Sequence, residues 1–352
     1  MMQSNGENSP AELLRIWGSY APTPLWDLPR LARHCGVAKV FAKDESQRPL
    51  GSFKSLGGMY AGLRALARAT HAKNLTSLIA AKSTGRELPM LICASDGNHG
   101  LAVAAGAELA GAAARVYLHQ DVPEKRARRI AARGAEIVWV DGTYDDSVDE
   151  ARQAAASGEG LLIADTSNDV NDPVVADVMR GYRLIAHETL QDLHLLGEPL
   201  PTHLFVQAGV GGLAAAMAVG LHESAASRCR IVVVEPEKVA CVGMALKLGR
   251  IERMTGELNT AAEMLSCGEA SAPALKILQS YKADAVAVSE EALLNAVTTL
   301  ASFGGPPTTP SGATGSAGLM AASPGTPQAQ LLGVNESSRI LVVITEGLIP
   351  ED

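Results

Sequence analysis

The stretch that decides the fold is HLFVQAGVGGLAAAMAVGLHES, residues 203–224. Its first five residues predict a strand, a glycine-rich turn follows directly, and the alanine-rich remainder predicts a helix over 213–222. Glycines let several backbone N–H groups converge on one point, and a helix N-terminus adds partial positive charge. The unit therefore predicts an anion site, although an ordinary strand-to-helix turn would use the same residues.

The turn favours a monophosphate over larger nucleotides. Its glycines lack the GxGxxG order of dinucleotide-binding loops, and no GK[ST] follows as in nucleoside-triphosphate loops. A phosphate monoester needs only the converging N–H groups and the helix N-terminus. This loop is the first candidate binding site of the chain.

Short apolar runs alternate with alanine-rich segments on both sides of this unit, which is typical of an α/β fold with mostly parallel sheets flanked by helices. Strands are predicted at 39–43, 90–94, 115–118, 136–140, 203–207, 231–235 and 340–344, and helices at 55–69, 101–109, 123–133, 145–157 and 213–222. Proline and glycine predict a loop over 304–315, GGPPTTPSGATG. Residues 70–87 are weakly patterned and predict a surface excursion.

Composition narrows the class of protein. The 352 residues are 47% hydrophobic and 19% charged, which excludes a disordered chain. The net charge of −8 and the 4% of aromatic residues argue against nucleic-acid and anionic-membrane partners. Five scattered cysteines without a CxxC pair argue against a metal site, and the N-terminus lacks the pattern of a signal peptide. We therefore expect a cytoplasmic globular protein.

A second motif, ASDGNHG at residues 94–100, also lies between a predicted strand and a predicted helix. Ser95, Asn98 and the backbone N–H groups at this position suit a carboxylate or a phenolate oxygen. Capping of the helix by Ser95 or Asp96 explains the same residues about equally well. His99 could act as a general base, but a packed histidine is the more common role in such a loop.

A third motif contains a lysine in an unusual place. In KDESQRPLGSFK, residues 43–54, Lys54 stands at the start of a predicted helix, where a cation is electrostatically unfavourable. A lysine with a lowered pKa is nucleophilic, so the position indicates a reactive amine. A solvated lysine on a surface turn is the alternative. Together, the anion cradle, the polar loop and the reactive amine match what pyridoxal phosphate (PLP) requires.

These motifs resemble the fold type II PLP-dependent enzymes, the group of the tryptophan synthase β subunit and the threonine dehydratases. The segments KDES-QRPLGSFKSLGG, ASDGNHG, QAGVGGLAAA and VVITEG are most similar to diaminopropionate ammonia-lyase, and the likeness runs from about residue 23 to residue 347. The resemblance implies a homodimer with two lobes. The small lobe would contain residues 51–160, and the large PLP-binding lobe would contain residues 1–50 and 161–352.

The resemblance also implies roles for residues that would bind the cofactor. Lys54 would form the Schiff base with PLP, and Asn98 would hydrogen-bond the 3′ oxygen of PLP. Thr345 would face the pyridine nitrogen and leave that nitrogen largely unprotonated. The phosphate would be bound by Gly209, Val210, Gly211, Gly212 and Leu213.

For catalysis, the resemblance implies two acids as alternative bases for the two stereoisomers at Cα, Asp96 and Asp165. Ser95 and Asp96 would help bind the amino-acid substrate. Burial in an apolar cleft should raise the pKa of each carboxyl toward that of a usable base. The expected reaction is α,β-elimination from 2,3-diaminopropionate or a similar β-substituted amino acid, which gives a 2-oxo acid and ammonia.

Some residues depart from the ammonia-lyase pattern. Residues 51–54, GSFK, are closer to the threonine dehydratases, and Leu348 and Ile349 replace polar residues after the VVITEG segment. A dehydratase acting on β-hydroxy amino acids is therefore an alternative function. A PLP-binding protein without catalytic turnover is a more remote one.

Overall fold

The structure is a computed structural model that describes residues 10–85, 87–95, 97–223 and 228–349. Within these residues the strands are β1 (Leu25–Asp27), β2 (Lys39–Asp44), β3 (Leu91–Ala94), β4 (Ala114–His119), β5 (Glu136–Val140), β6 (Leu161–Leu162), β7 (His203–Gln207), β8 (Arg230–Pro236), β9 (Asp284–Val288) and β10 (Arg339–Ile344). The α-helices are α1 (Ala11–Ile16), α2 (Pro29–Cys35), α3 (Lys54–Ala69), α4 (Leu75–Ala80), α5 (Asn98–Ala110), α6 (Glu124–Ala131), α7 (Tyr144–Ala156), α8 (Pro173–Leu196), α9 (Gly212–His222), α10 (Cys241–Leu248), α11 (Ala272–Ser280), α12 (Glu290–Ser302), α13 (Pro310–Ala321) and α14 (Pro327–Leu332).

The strands form two sheets. One has the order β5-β4-β3-β6 and is parallel throughout. The other has the order β1-β2-β10-β7-β8-β9 and is parallel except for its edge strand β1. Strands β7 and β10 lie at neighbouring positions in the second sheet and are almost entirely buried, which explains the apolar runs at 204–206 and 340–344. The predicted α/β fold with parallel-type sheets is confirmed.

Packing divides the chain into two units. The first contains residues 54–165, 172–184 and the described part of residues 1–21, and it includes the four-stranded sheet. The second contains residues 22–53, 166–171 and the described part of residues 185–352, and it includes the six-stranded sheet. Residues 10–21 and 172–184 therefore pack with the segment expected to form the small lobe. The lobe boundaries inferred from the sequence remain a prediction.

The loop predicted over residues 304–315 is wrong in its second half, because α13 begins at Pro310. Proline fits the first turn of a helix, and the Thr309 side chain caps this helix by accepting a hydrogen bond from the Gly312 N–H. The glycines of α13 allow a close approach to the second sheet. A Cβ on Gly315 would lie 2.7 Å from the Phe205 carbonyl oxygen. Tertiary packing therefore overrides the weak helix propensity of this segment.

The surface excursion predicted over residues 70–87 is also partly wrong. It contains α4, which begins with a capping box between Asn74 and Ser77. Leu75 and Leu78 of this helix are buried. The sequence analysis placed no element at the positions of α8, α10, α11, α12 or β9. Within the described ranges, no helix is both long enough and apolar enough to cross a membrane.

A buried histidine at the start of β7 predicts how stability depends on pH. The Nε2 of His203 lies 2.9 Å from the Leu332 carbonyl oxygen, and Nδ1 lies 2.8 Å from the Thr202 hydroxyl oxygen. Burial lowers the pKa of His203, against the opposing effect of the Leu332 hydrogen bond. The unfolded chain therefore takes up the proton first, so the stability that neutral His203 contributes is present above about pH 6.5 and is lost as the pH falls below it.

We expect urea unfolding to show this loss between pH 7 and pH 5. A His203→Gln variant can still donate to Leu332 and accept from Thr202, but it does not titrate. Its free energy of unfolding should fall less steeply with acidification than that of the native protein. Equal slopes in the two proteins would contradict the assignment.

Candidate functional site

In the first unit, the predicted site residues cluster at the carboxyl ends of β3 and β6. Parallel pairing places Ile92 opposite Leu162, and the Ile163 N–H donates to the Ile92 carbonyl at 2.7 Å. Ser95 directly follows β3, and Asp165 stands three residues after β6. Ligands of α/β proteins bind outside the carboxyl ends of parallel strands, so this edge of the sheet is where a site is expected.

Lys54 and Asp165 form an ion pair at this edge. Lys54 is the first residue of α3, and its Nζ donates a hydrogen bond to Oδ2 of Asp165. The side chains are 23% and 12% exposed, respectively. The carboxylate therefore provides the charge partner that a lysine at a helix N-terminus needs. Sequence analysis selected both residues, and the structure brings them together.

The prediction that the pKa of Asp165 is raised is wrong. Burial does raise the pKa of this carboxyl, as the sequence analysis supposed. The positive charge of Lys54, the neighbouring His99 and the hydrogen bond from Lys54 together outweigh burial and hold the pKa well below its ordinary value. A carboxylate beside an ammonium is a weak base. The Lys54 charge thus controls the basicity of Asp165.

Ser95 caps helix α5. Its buried hydroxyl oxygen accepts hydrogen bonds from the backbone N–H groups of Gly97, at 2.9 Å, and Gly100, at 2.8 Å. The capping role that the sequence left open is therefore present, and the hydroxyl proton is available as a donor. Asn98 is the first residue of α5. Asp96 lies outside the described residues.

His99 is buried beside the ion pair. Its Nε2 lies 2.7 Å from the Ile163 carbonyl oxygen, which can only accept, so this nitrogen carries the proton. Burial lowers the pKa of His99. The charge of Asp165 raises this pKa, and the charge of Lys54 lowers it. The histidine therefore joins the start of α5 to the end of β6, which agrees with a packed residue more than with a general base.

Tyr182 is a neighbour of this cluster that the sequence analysis missed. Its buried ring lies against Gly57, one turn after Lys54 on α3, where a Cβ would lie 2.3 Å from the ring. Burial raises the pKa of Tyr182. The charge of Lys54 lowers this pKa, and the charge of Asp165 raises it. No spacing in the sequence links α8 to α3, so only the fold reveals this contact.

In the second unit, the glycine-rich loop joins β7 to α9 as the sequence predicts. Gly211 occupies the cap position of α9 with a φ of +95°, and its carbonyl accepts from the Ala215 N–H at 3.0 Å. The backbone N–H groups of the residues before Ala215 have no acceptor within the helix. The Val210 carbonyl accepts from the Ser271 N–H at 2.9 Å, which fixes the loop. Backbone donors of residues 209–213 can therefore bind an anion.

Thr345 lies near this loop at the carboxyl edge of the same sheet. It follows β10, which pairs with β7, and it is 4% exposed. Its hydroxyl oxygen accepts from Nε2 of Gln207, the last residue of β7, at 2.9 Å. Its carbonyl accepts from the N–H of Phe53, the residue that precedes Lys54, at 3.1 Å. The sequence does offer a signal for Gln207, because a polar residue that ends an apolar strand is unusual.

The residues present fit PLP. The loop before α9 offers backbone donors to a phosphate, and a Cβ on Gly211 would lie 3.3 Å from Val242, so the turn leaves little room for a side chain. Lys54 supplies an amine for covalent attachment, and Thr345 supplies a hydroxyl for a ring nitrogen. Considered separately, the two units thus offer the groups that PLP requires: the first an amine for its aldehyde, the second donors for its phosphate and its ring nitrogen.

Comparisons with known proteins agree with this chemistry. The sequence profile of the family described as "Pyridoxal-phosphate dependent enzyme" matches residues 16–346. Diaminopropionate ammonia-lyase of Escherichia coli K12 is 31% identical, over 97% of this chain and 91% of that protein. L-threonine dehydratase of Pasteurella multocida is 30% identical, over 65% of this chain and 38% of that protein.

Solved structures agree as well. The holo diaminopropionate ammonia-lyase of Escherichia coli superimposes with a TM-score of 0.84 and 30% identity, covering 98% of this chain and 91% of that one. The same enzyme in complex with D-serine gives the same score and coverage. The resemblance to fold type II PLP enzymes that the motifs indicated is confirmed. The chain belongs to the family of pyridoxal-phosphate dependent enzymes.

Proposed function

We propose that this enzyme catalyses α,β-elimination of ammonia from 2,3-diaminopropionate or a similar β-substituted amino acid. The observation that carries the proposal is the Lys54–Asp165 pair, which puts an amine for the cofactor beside a carboxylate that can move a proton. Similarity to diaminopropionate ammonia-lyase over nearly the whole chain supports the same reaction. The enzyme is a PLP-dependent lyase with a small-molecule substrate.

The resemblance to diaminopropionate ammonia-lyase supports the same cofactor contacts in this chain. Lys54 attaches PLP covalently, and the backbone N–H groups of residues 209–213 bind the phosphate. Asn98 donates to the 3′ oxygen, and Thr345 faces the pyridine nitrogen. When bound, PLP accepts the electron pair that remains at Cα after the proton leaves. Ser95 and Asp96 bind the substrate, and Ser95 helps to hold its carboxylate.

Proton removal is assigned to Asp96 and Asp165. Asp96 serves the L form of the substrate, and Asp165 serves the D form. The ion pair suggests how Asp165 becomes active, because the Lys54 charge is what holds its pKa low. Loss of that charge would leave burial as the dominant effect and raise the basicity of the carboxylate. The ammonium of Lys54 therefore keeps Asp165 a weak base until Lys54 has lost its proton.

A dehydratase acting on serine or threonine is the second candidate. The GSFK segment before α3 and the partial match to L-threonine dehydratase favour it. The chain spans less than half the length of that relative, so the likeness carries less weight than the match to the ammonia-lyase.

The stoichiometry of the products separates the two reactions. Elimination and hydrolysis convert 2,3-diaminopropionate and water into one pyruvate and two ammonia molecules, whereas serine yields one of each. We expect the purified enzyme to release ammonia and pyruvate in a two-to-one ratio from diaminopropionate, and far more slowly in a one-to-one ratio from serine. Preferred turnover of L-serine or L-threonine would favour the dehydratase.

Asparagine variants test the two bases on each enantiomer. Asp96→Asn should mainly reduce turnover of L-diaminopropionate, and Asp165→Asn should mainly reduce turnover of the D form. The loss should be roughly 10²- to 10⁴-fold in each case, the usual range for a general base. Exposed Asp149 in α7 offers a matched control, Asp149→Asn, which should leave both rates unchanged. Equal losses on both enantiomers in both active-site variants would refute the assignment.

The proposal also covers the location, the oligomeric state and the lobes of the protein. We propose a cytoplasmic homodimer that acts in amino-acid degradation, without nucleic-acid or membrane partners. A small lobe of residues 51–160 and a large lobe of residues 1–50 and 161–352 belong to the same proposal. Sedimentation of the holoenzyme would test the dimer.

A further inference from the structure

Gln207 makes an unusual set of contacts at the end of β7. Its side chain is buried, and its Nε2 lies within hydrogen-bond distance of four oxygen atoms. These are the hydroxyl of Thr345 at 2.9 Å and the carbonyls of Gly312 at 3.0 Å, Ser311 at 3.1 Å and Val343 at 3.1 Å. An amide nitrogen has two protons and no acceptor capacity, so it can only donate in each contact.

The carbonyl oxygens around Nε2 fix the orientation of this amide. Oε1 of Gln207 is buried and has no hydrogen-bond partner among the described residues. A buried acceptor without a partner is unfavourable, so this orientation has to be enforced elsewhere. Rotation of the amide by 180° would place Oε1 against the carbonyl oxygens of Ser311, Gly312 and Val343. The amide therefore presents its N–H groups to α13 and β10 in one defined way.

This orientation determines what the Thr345 hydroxyl can do. Its oxygen accepts from Gln207, so its own proton cannot lie along that contact. The carbonyl of Val343 accepts from the same nitrogen. The Thr345 O–H is thereby left to donate to a group outside this cluster.

We propose that Gln207 is a positioning residue that makes the Thr345 hydroxyl a hydrogen-bond donor to the pyridine nitrogen of the cofactor. The inference rests on the proposed function, in which Thr345 faces that nitrogen. An O–H donor requires a lone pair on its partner, so the arrangement favours the unprotonated ring nitrogen. Gln207 thus sets the protonation state of the cofactor without touching it.

The test uses the resting holoenzyme reconstituted with PLP that carries ¹⁵N in its ring. The ¹⁵N chemical shift reports protonation of the nitrogen without any turnover. In the native enzyme the shift should be that of an unprotonated nitrogen from pH 6 to pH 9. Gln207→Met keeps the approximate side-chain volume and removes both donors. Thr345 can then donate to Val343 and turn its lone pairs to the ring, so the protonated fraction should rise at least about tenfold.

Two further variants isolate the pathway. Thr345→Val removes the hydroxyl, and in that background Gln207→Met should no longer move the shift, because the effect acts through Thr345. Gln191 is exposed on α8, so Gln191→Met is a matched control that should reproduce the native shift. A Gln207→Met holoenzyme with the native shift would overturn the inference.

The outcomes also separate this inference from the proposed function. If borohydride fixes no pyridoxyl group on Lys54, the proposed function itself fails. If Lys54 is labelled but the native ring nitrogen is protonated across the pH range, only the role of Gln207 fails. A protonated ring nitrogen in the native enzyme would contradict the inference even if Gln207→Met does not fold.

Discussion

A Lys54→Ala variant is expected to lose covalent attachment of the cofactor and nearly all activity. Native protein should be yellow, and borohydride should fix a pyridoxyl group on the peptide that contains Lys54. Without the amine, the peptide stays unlabelled and turnover should fall by at least about 10³-fold, as expected for loss of a covalent catalytic group. Peptide mapping by mass spectrometry after reduction provides the measurement.

The ion pair makes a second variant necessary. Lys54→Ala leaves the carboxylate of Asp165 without its cation, which could destabilise the first unit. Lys54→Arg keeps a positive charge but cannot form the covalent link, so it should retain the fold and still lose the label. Labelling of the buried Lys43 instead, or normal turnover by either variant, would disprove the assignment.

Substitution of Gly211 by aspartate is expected to abolish tight binding of PLP. The substitution would add a carboxylate to the turn that binds the phosphate, and two like charges about 4 Å apart at a partly buried site repel by about 4 kcal/mol. The φ of +95° at Gly211 adds backbone strain for any residue with a Cβ. Together these effects should weaken cofactor binding roughly 10³-fold, measured by absorbance after dialysis.

Two control variants separate charge from shape. Gly211→Ala adds only the Cβ, which would lie 3.3 Å from Val242 and 3.4 Å from Ala274, so its loss of affinity should be clearly smaller. Gly256 has a φ of +109° and no atom within 4 Å of an added Cβ. Gly256→Asp should therefore leave cofactor binding unchanged. Full retention of PLP by Gly211→Asp would place the phosphate elsewhere.

The sequence predicted the short, buried strands of the second sheet well. The predicted limits of the buried strand β7 coincide with the structure, and those of β10 differ by one residue. The limits of β5 also coincide, although only Val140 of that strand is buried. The segment that became α13 could not be predicted, because local propensity and tertiary packing act in opposite directions there. Proline and glycine favour a loop in isolation, and only contact with the second sheet makes the helix favourable.

The sequence predicted which residues form the site better than it predicted their protonation. Lys54 and Asp165 were both identified from motifs 111 residues apart, and the fold pairs them. Their mutual effect on the pKa of Asp165 depends on that contact and has no signature in either motif. The role of Gln207 depends equally on α13 and β10, two elements far away in the chain. Sequence motifs identify reactive groups, whereas their protonation depends on neighbours that only the fold supplies.

The glycines of α13 have a consequence for the order of folding. Gly312, Gly315 and Gly318 each cost about 1 kcal/mol relative to alanine in a helix, roughly 3 kcal/mol together. A segment with such a low helix propensity has almost no helical population in an unfolded chain. Its glycines instead fit the backbone of Phe205 and the side chain of Val234, so the surface it needs exists only after β7 and β8 have paired. Helix α13 must therefore form late, and Gln207 reaches its hydrogen-bond acceptors only once that helix is in place.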